Sequence, residues 1–304
     1  MLEQYTHLEP DANPDRPRPM DWQTYSDTVM QEWYALLLSE PEESAVQTFL
    51  ELHPAMIPGG SGDVGPGGHH GSDLGAVFTR PRLNGAGLSF EPDFMWVTRS
   101  SSTITPILIE IEKPSKRWFK MDGRPTAAFT EAHDQLNDWR TWFARDGNER
   151  IFREQYQLLG DHPNRPVEPQ YVLIYGRSSE FDFGGGHTNP DDLNHKRNGM
   201  RKADETFFTF DSLKPKFEHS DSITLRSRAK SLEPVAFSPV FTTGPWMSDG
   251  SRLLGDPTAA LVRTQHLTQD RRDYLAKRIA HWQKIDRERE SGRIRVGIRS
   301  GGRE

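Results

Sequence analysis

Two apolar runs in the first half of the chain carry acidic residues. The first run spans 90–97, the second spans 107–114, and the connector between them, 99–106, is mostly Ser and Thr. β-Branched and aromatic residues are frequent in both runs, which is typical of strands. The pattern therefore predicts an antiparallel, hairpin-like pair of strands.

The acids of this pair are predicted to lie on one face. Centring the connector near Ser101 and Ser102 places Asp93 opposite Glu110, and directly opposed residues have Cβ atoms about 5 Å apart. Because strands alternate with a period of two, Glu112 shares their face. The same face holds Met95 and Leu108, and the other face holds Phe94, Trp96, Ile107, Ile109 and Ile111. We expect both faces to be covered.

Other patterns predict an α/β fold around these strands. Apolar residues at helical spacing predict helices, the first of them over the aromatic stretch 22–37. A capping-box pattern at 39–42, with Pro in the first turn, predicts the start of the second helix. The later helices are predicted at 41–52, 128–143, 149–159 and 271–290, and further strands at 74–79, 170–175 and 206–210. We predict a mixed central β-sheet with helices on both faces, built as helix, three strands, helix and a further strand.

The chain divides into three predicted parts. Residues 1–40 form an N-terminal arm and helix, and residues 41–215 form the core domain. Residues 216–304 form a C-terminal extension, which lacks sustained periodicity up to 265 and then contains a charged helix that we expect to serve oligomerisation.

Composition narrows the classes of function. The 304 residues include no Cys, which excludes disulfides, thiolate zinc sites and cysteine nucleophiles and fits a reducing compartment. No apolar run is long enough to span a membrane, and the N-terminus does not resemble a signal peptide. We expect a soluble, cytoplasmic protein with no membrane partner. The net charge of -6 means that any nucleic-acid surface must be a local patch.

The acid pair suggests metal chemistry. A carboxylate beside apolar surface must be paired, protonated or bound to a metal, and neither Asp93 nor Glu110 has an evident basic partner on its own face. Two converging oxygen ligands suit Mg²⁺ or Mn²⁺, which accept one or two carboxylates plus phosphate oxygens and waters. This is the chemistry of phosphodiester hydrolysis. The alternative is that each acid lies at a strand end in water.

The same residues resemble a known signature. Pro92-Asp93, followed by Glu110-Ile111-Glu112-Lys113, is similar to the PD-(D/E)xK nuclease pattern. The usual pattern places Lys two residues after the second acid, whereas here Glu112 occupies that position and Lys113 follows. Some restriction endonucleases carry Glu there and remain active.

The order of segments over roughly 41–215 also resembles the nuclease domain of the Shedu antiphage-defence family. Besides the acidic strands, the matching pieces are 49–54, Gln135-Leu136, Gly176-Arg177 and 210–213. The resemblance implies a PD-(D/E)xK-type nuclease core, Mg²⁺-dependent cleavage of DNA in defence against phage, and a homotetramer.

The motif assigns candidate roles within the acidic strands. Asp93, Glu110 and Ile111 are the candidate metal-site residues. Glu112 is a candidate metal ligand or water-activating base, and Lys113 is a candidate charge stabiliser.

Two helical residues are added by the resemblance. Gln135, expected on the core side of its helix, would orient substrate or the attacking water, or else bond a neighbouring backbone group. Glu43 would place an acid near the metal, or else be a solvated first-turn acid that favours the helix dipole.

Basic residues interleaved with aromatics follow the acids. Such segments can hold a phosphate backbone, although a solvated loop is the alternative. The candidate nucleic-acid-binding residues are Lys116, Arg117, Lys120, Arg124, Arg177, Lys196, Arg197 and Arg201.

The glycine-rich loop 58–71 contains His69 and His70, which we do not expect to bind a metal, because adjacent residues rarely present both rings to one ion.

Two further classes of function remain open. The chain could be a catalytically silent nucleic-acid-binding or assembly protein that retains the nuclease fold. It could also be a hydrolase that uses the acid pair without a metal, as glycosidases do.

Overall fold

A seven-stranded mixed sheet forms the centre of the part of the chain that the structure describes. The computed structural model describes residues 15–65, 71–85, 87–158, 164–228 and 231–292. The helices are α1 (Trp22–Leu38), α2 (Glu43–Leu52), α3 (Ala127–Phe143), α4 (Asn148–Gln155), α5 (Pro190–Met200), α6 (Thr258–Arg263) and α7 (Gln269–Glu290). The strands are β1 (Ser72–Thr79), β2 (Leu83–Asn84), β3 (Ser89–Phe90), β4 (Phe94–Arg99), β5 (Ile104–Ile111), β6 (Gln170–Ile174), β7 (Glu205–Phe208), β8 (Ile223–Ser227) and β9 (Leu232–Phe237).

The strand order in the sheet is β7-β6-β5-β4-β1-β8-β9. Strands β4 and β5 pair antiparallel, whereas β5, β6 and β7 run parallel. Strand β1 pairs antiparallel with β4 and parallel with β8. The sheet therefore mixes both directions, as predicted, and β5 is inside it with a partner on each side.

Helices cover both faces of the sheet. Met95 and Leu108 pack in one core with side chains of α3, α4, α6 and α7. Trp96 and Ile109 pack in a second core on the opposite face, with side chains of α1 and α2. The predicted division of the two central strands into faces is confirmed by these separate cores.

The register of the central pair also follows the prediction. Phe94 lies opposite Ile109 and Met95 lies opposite Leu108, and the chain turns at 100–103. The Ser100 hydroxyl accepts hydrogen bonds from the main-chain N–H groups of residues 102 and 103, which closes the turn. The strand boundaries differ from the prediction, since β5 ends at Ile111. Lys113 and Pro114 therefore lie beyond the strand.

The predicted capping box at 39–42 is wrong. Helix α2 begins at Glu43, its N-cap is Glu42, and no side chain caps it. Ser39 instead terminates α1, where its hydroxyl donates to the carbonyl of Leu36. Glu40 follows in the left-handed region, with φ 50°, and turns the chain between the two helices.

The second basic cluster lies on a helix that the sequence analysis did not predict. Pro190 begins α5, where its fixed φ suits the first turn. The predicted strand at 206–210 is observed as β7 at Glu205–Phe208, and the helix predicted at 149–159 ends at Gln155. His69 and His70 lie outside the described residues, as does most of the N-terminal arm.

The segment after 215 is built into the same sheet and core. Strands β8 and β9 extend the sheet beside β1. In α7, the apolar stripe Leu275, Ile279 and Trp282 is buried within the chain's own core. That stripe therefore packs within the chain rather than facing a partner subunit. The homotetramer remains a prediction. None of the described helices is both long and apolar enough to cross a membrane.

We expect Trp282→Ala to lower the free energy of unfolding of the whole protein by about 3–5 kcal/mol. Trp282 is only 2% exposed and packs in the core that also holds Leu108 of β5. Urea unfolding followed by circular dichroism measures the change. The exposed Lys277 of the same helix is the control, since Lys277→Ala should alter the free energy by less than about 0.5 kcal/mol. A separate transition for the C-terminal part alone would contradict a shared core.

Candidate functional site

Asp93, just before β4, lies opposite Glu110, near the end of β5. Asp93 directly precedes β4, and its N–H donates to the carbonyl of Ile109 at 3.1 Å. Its Oδ2 accepts a hydrogen bond from the N–H of Ile111 at 2.8 Å. This bond fixes the carboxylate against the end of β5 and leaves Oδ1 available to a ligand.

Burial changes the protonation of both acids. Desolvation raises the pKa of Asp93 to about 7, and the nearby charges of Glu43 and Glu112 also raise it. The N–H of Ile111 and the charge of Arg80 lower it. For Glu110, desolvation and then the charge of Asp93 hold the pKa well above the usual range. Both carboxyls therefore keep a proton to higher pH than usual, and a bound cation would compete with that proton.

Glu112 extends the ladder of β5 by one residue and joins the acids. Its N–H donates to the carbonyl of Ile174 at 3.2 Å, and its side chain is buried. Glu43, in the first turn of α2, is exposed as expected, yet it also approaches this group. Its pKa is raised by partial desolvation of the carboxyl, and also by the charge of Glu112 and by a hydrogen bond with Glu112. We call Glu43, Asp93, Glu110 and Glu112 the acid group.

The lysine that reaches the acid group is Lys116, which the sequence analysis assigned to nucleic-acid binding. Its Nζ contacts Oε2 of Glu112. Lys113 instead extends to Glu42, with Nζ 2.5 Å from Oε1. Because β5 ends at Ile111, strand alternation no longer governs where these two lysines point, and the turn at 114–116 brings the later one back.

A polar stripe on α2 supports the site, and the sequence analysis missed it. Gln47, one turn after Glu43, donates to the carbonyl of Asp93 at 3.3 Å and to the hydroxyl of Thr79 at 3.0 Å. Thr79 in turn donates to Glu51 at 2.7 Å. The spacing of 43, 47 and 51 by four residues was a detectable signal, because it places three polar side chains along one side of a helix.

Arg80 is a second residue that the sequence analysis missed. It follows β1, its side chain is exposed, and its N–H donates to the carbonyl of Asp93 at 2.8 Å. Its charge lowers the pKa of both Asp93 and Glu43, so the guanidinium lies within electrostatic reach of the acid group.

Gln135 does not lie on the core side of α3. It is exposed, whereas its neighbour Leu136 is fully buried. It also lies eight residues into the helix, which corresponds to about 12 Å of axial rise.

The two basic clusters come together at this edge of the sheet, since both follow the carboxyl ends of parallel strands. Lys196 donates to the carbonyl of Gly123 at 2.7 Å and lies 5.6 Å from the ring centroid of Phe119. The guanidinium of Arg197 stacks on Trp118 and Phe181. The α5 cluster thus packs onto the segment that leads from β5 to α3.

Several of the candidate basic residues are engaged within the chain. Arg117 lies against His187 at 2.9 Å, Arg124 pairs with Asp122 at 2.6 Å, and Arg177 pairs with Asp211 at 2.5 Å. Lys120 and Arg201 are exposed. The charge open to a ligand is therefore smaller than the sequence suggests.

A buried acid outside the candidate list anchors this basic segment. Glu180 is 6% exposed and accepts hydrogen bonds from the N–H groups of Trp118 and Phe119, both at 2.9 Å. Nε2 of His187 lies 3.2 Å from Oε1 of Glu180, the oxygen that also accepts from Phe119. Glu180 therefore holds residues 116–119 in place beside the acid group.

The donor chemistry of the acid group fits a hard divalent cation. Within the described ranges, no three His, Asp or Glu side chains are gathered closely enough to bind one metal ion together. Mg²⁺ needs less, because it binds through one or two carboxylates and keeps several waters. Asp93 and Glu110 can supply that pair, and Ile111 can contribute only main-chain atoms.

Comparison with known proteins gives one match. Residues 40–213 match the family model described as "Shedu protein SduA, C-terminal". Neither the curated proteins nor the solved structures include a match to this chain. The matched segment begins just before α2 and ends after β7, so it contains the whole acid group.

We expect Asp93→Asn to stabilise the metal-free protein at pH 8 by about 1–3 kcal/mol. Below about pH 3.8 the Asp93 carboxyl is protonated in both states. Between there and pH 7 the folded state keeps a proton that the unfolded chain releases, so stability falls as pH rises and then levels off. Asn keeps the acceptor for Ile111 but cannot ionise.

Urea unfolding with a chelator at pH 5 and pH 8 measures this effect. Asp122→Asn is the control, because Asp122 is exposed and its pKa is lowered, chiefly by its hydrogen bond with Arg124. If Asp93→Asn is no more stable than the wild type at pH 8, the Asp93 carboxyl is not desolvated as described.

Proposed function

The chain belongs to the Shedu SduA family, and we propose on this footing that it is a Mg²⁺- or Mn²⁺-dependent endonuclease that cleaves DNA. Membership in the family implies a role in antiphage defence. The observation that carries the proposal is the opposed pair Asp93 and Glu110, two desolvated carboxylates at the end of adjacent strands. This arrangement agrees with the PD-(D/E)xK resemblance of the motif.

In the proposed reaction, Asp93 and Glu110 would hold the cation, which would supply a water of lowered pKa and offset charge on the phosphate. The N–H of Ile111 holds one oxygen of the Asp93 carboxylate against the end of β5. Glu112 accepts the proton of the attacking water, and Lys116 keeps Glu112 oriented through its contact with Oε2. Glu43 adds negative charge at the rim.

The DNA backbone would lie along the edge formed by residues 116–126 and α5. Lys120 is exposed there, and Met121 is 70% exposed. Arg201 is also exposed, but it lies just before β7, towards the opposite edge of the sheet. Contacts of this kind bind phosphate without reading sequence. The homotetramer expected from the resemblance is kept in the proposal and is tested by light scattering of the full chain.

A second candidate is a catalytically silent nucleic-acid-binding protein. It is favoured by the absence of three gathered ligand side chains in the described ranges, and by the contact between Lys116 and Glu112. Calorimetric titration with Mg²⁺ or Mn²⁺ separates the candidates, because only the nuclease needs metal affinity that Asp93→Ala abolishes.

We expect Asp93→Ala and Glu110→Ala each to abolish Mg²⁺-dependent cleavage of DNA while preserving the fold. Removing either carboxylate leaves the other unable to hold the cation, so the double variant should cost little more than one alone. Glu91→Ala is the matched control, because Glu91 lies two residues before Asp93 but pairs with Arg82. Cleavage near the wild-type rate in either single variant would refute the assignment.

We also expect Glu112→Gln to reduce cleavage by roughly a hundredfold or more, the scale of a positioned general base. Lys116→Ala should reduce it strongly, whereas Lys113→Ala should be milder, because Lys113 pairs with Glu42. Single-turnover rates with plasmid DNA measure all three. An inactive Lys113→Ala combined with a fully active Glu112→Gln would reverse the roles of these residues.

A further inference from the structure

Arg80 lies at the rim of the acid group, but its side chain pairs with none of the four acids. Among the described residues, its side chain makes no hydrogen bond and no ion pair. Other arginines of the chain are engaged, since Arg82 pairs with Glu91 at 3.3 Å and Arg263 pairs with Glu51 at 2.7 Å. Arg80 therefore presents a guanidinium that is exposed and open to an anion beside Asp93 and Glu43.

The backbone of Arg80 is held in an unfavourable conformation. Its φ of 45° lies in the left-handed region, which residues with a Cβ rarely adopt, and Pro81 restricts it further. Conformations of this kind persist where surrounding contacts impose them, and they cluster at functional sites.

The contacts that impose this conformation belong to the site itself. The N–H of Arg80 is bonded to the carbonyl of Asp93, and the preceding Thr79 is bonded to Gln47 and Glu51. The position of Arg80 is thereby tied to the residue that we place at the metal. A change in its side chain can be separated from a change in this backbone, because glycine adopts φ 45° without strain.

We infer that Arg80 binds the scissile phosphate and stabilises the negative charge that develops on it during cleavage. The inference rests on the proposed nuclease function. Acidic side chains repel a phosphodiester, so a site rich in them needs a cation besides the metal on the substrate side. A guanidinium offers several donors in a plane that matches two phosphate oxygens, and its charge acts strongly where water is displaced.

The decisive variant is Arg80→Gly. It removes the guanidinium while suiting the left-handed backbone, so we expect thermal stability to be unchanged or raised and the single-turnover cleavage rate to fall by roughly a hundredfold or more. Arg80→Lys keeps the charge without the planar donors and should cleave at an intermediate rate. Arg82→Gly is the matched control from the same loop and should cleave within about threefold of the wild-type rate.

Metal binding provides the second measurement. Calorimetric affinity of Arg80→Gly for Mn²⁺ should be unchanged or tighter, because a positive charge near the cation is removed. Loss of Mn²⁺ affinity would overturn the inference, since Arg80 would then act only by positioning Asp93. If the wild type cleaves DNA and Arg80→Gly cleaves equally fast, this inference alone fails. If the wild type binds Mn²⁺ and cleaves nothing, the proposed function fails as well.

Discussion

The antiparallel pairing of β4 with β5 is the constraint on which the rest of the structure depends. Every residue of β5 is buried, so each side chain must match one of two covered faces. A shift of the register by one residue would send Glu110 into the apolar core beneath α1 and α2 and would separate it from Asp93. The same pairing that builds the core therefore creates the opposed carboxylates.

The candidate site holds more negative than positive charge, and its acidic residues influence one another through this excess. Neighbouring carboxylates raise the pKa of Glu43, Asp93 and Glu110, whereas Lys116 and Arg80 are the cations that oppose them among the pKa effects described. Within this excess of negative charge, the N–H of Ile111 holds the Asp93 carboxylate and the side chain of Gln47 holds the Asp93 carbonyl. The site is thus held by main-chain groups of Asp93 and Ile111 together with the contact between Lys116 and Glu112.

The sequence could predict what short-range periodicity determines. The alternation of 93–97 and 107–112 and the polar connector between them specified the faces, the pairing and the opposed acids. The ends of elements depend on contacts distant in sequence, and so the pairing of Lys113 with Glu42 and the contact of Lys116 with Glu112 could not be predicted. Gln135 was placed by its proximity to an apolar stripe, but one residue rotates a helix by about 100°, which is enough to expose it. No sequence pattern pointed to Arg80, because its left-handed backbone conformation is imposed by its hydrogen bond to the carbonyl of Asp93.

The boundary of the family match does not coincide with the boundary of the folded unit. The match ends at residue 213, before β8, and β8 supplies the parallel partner of β1. A fragment ending there would leave β1 as a sheet edge with a row of unpaired N–H and C=O groups. Exposed edges of this kind recruit other strands and promote aggregation unless they are covered. In this chain the last third therefore covers the edge of β1, the strand that leads into Arg80.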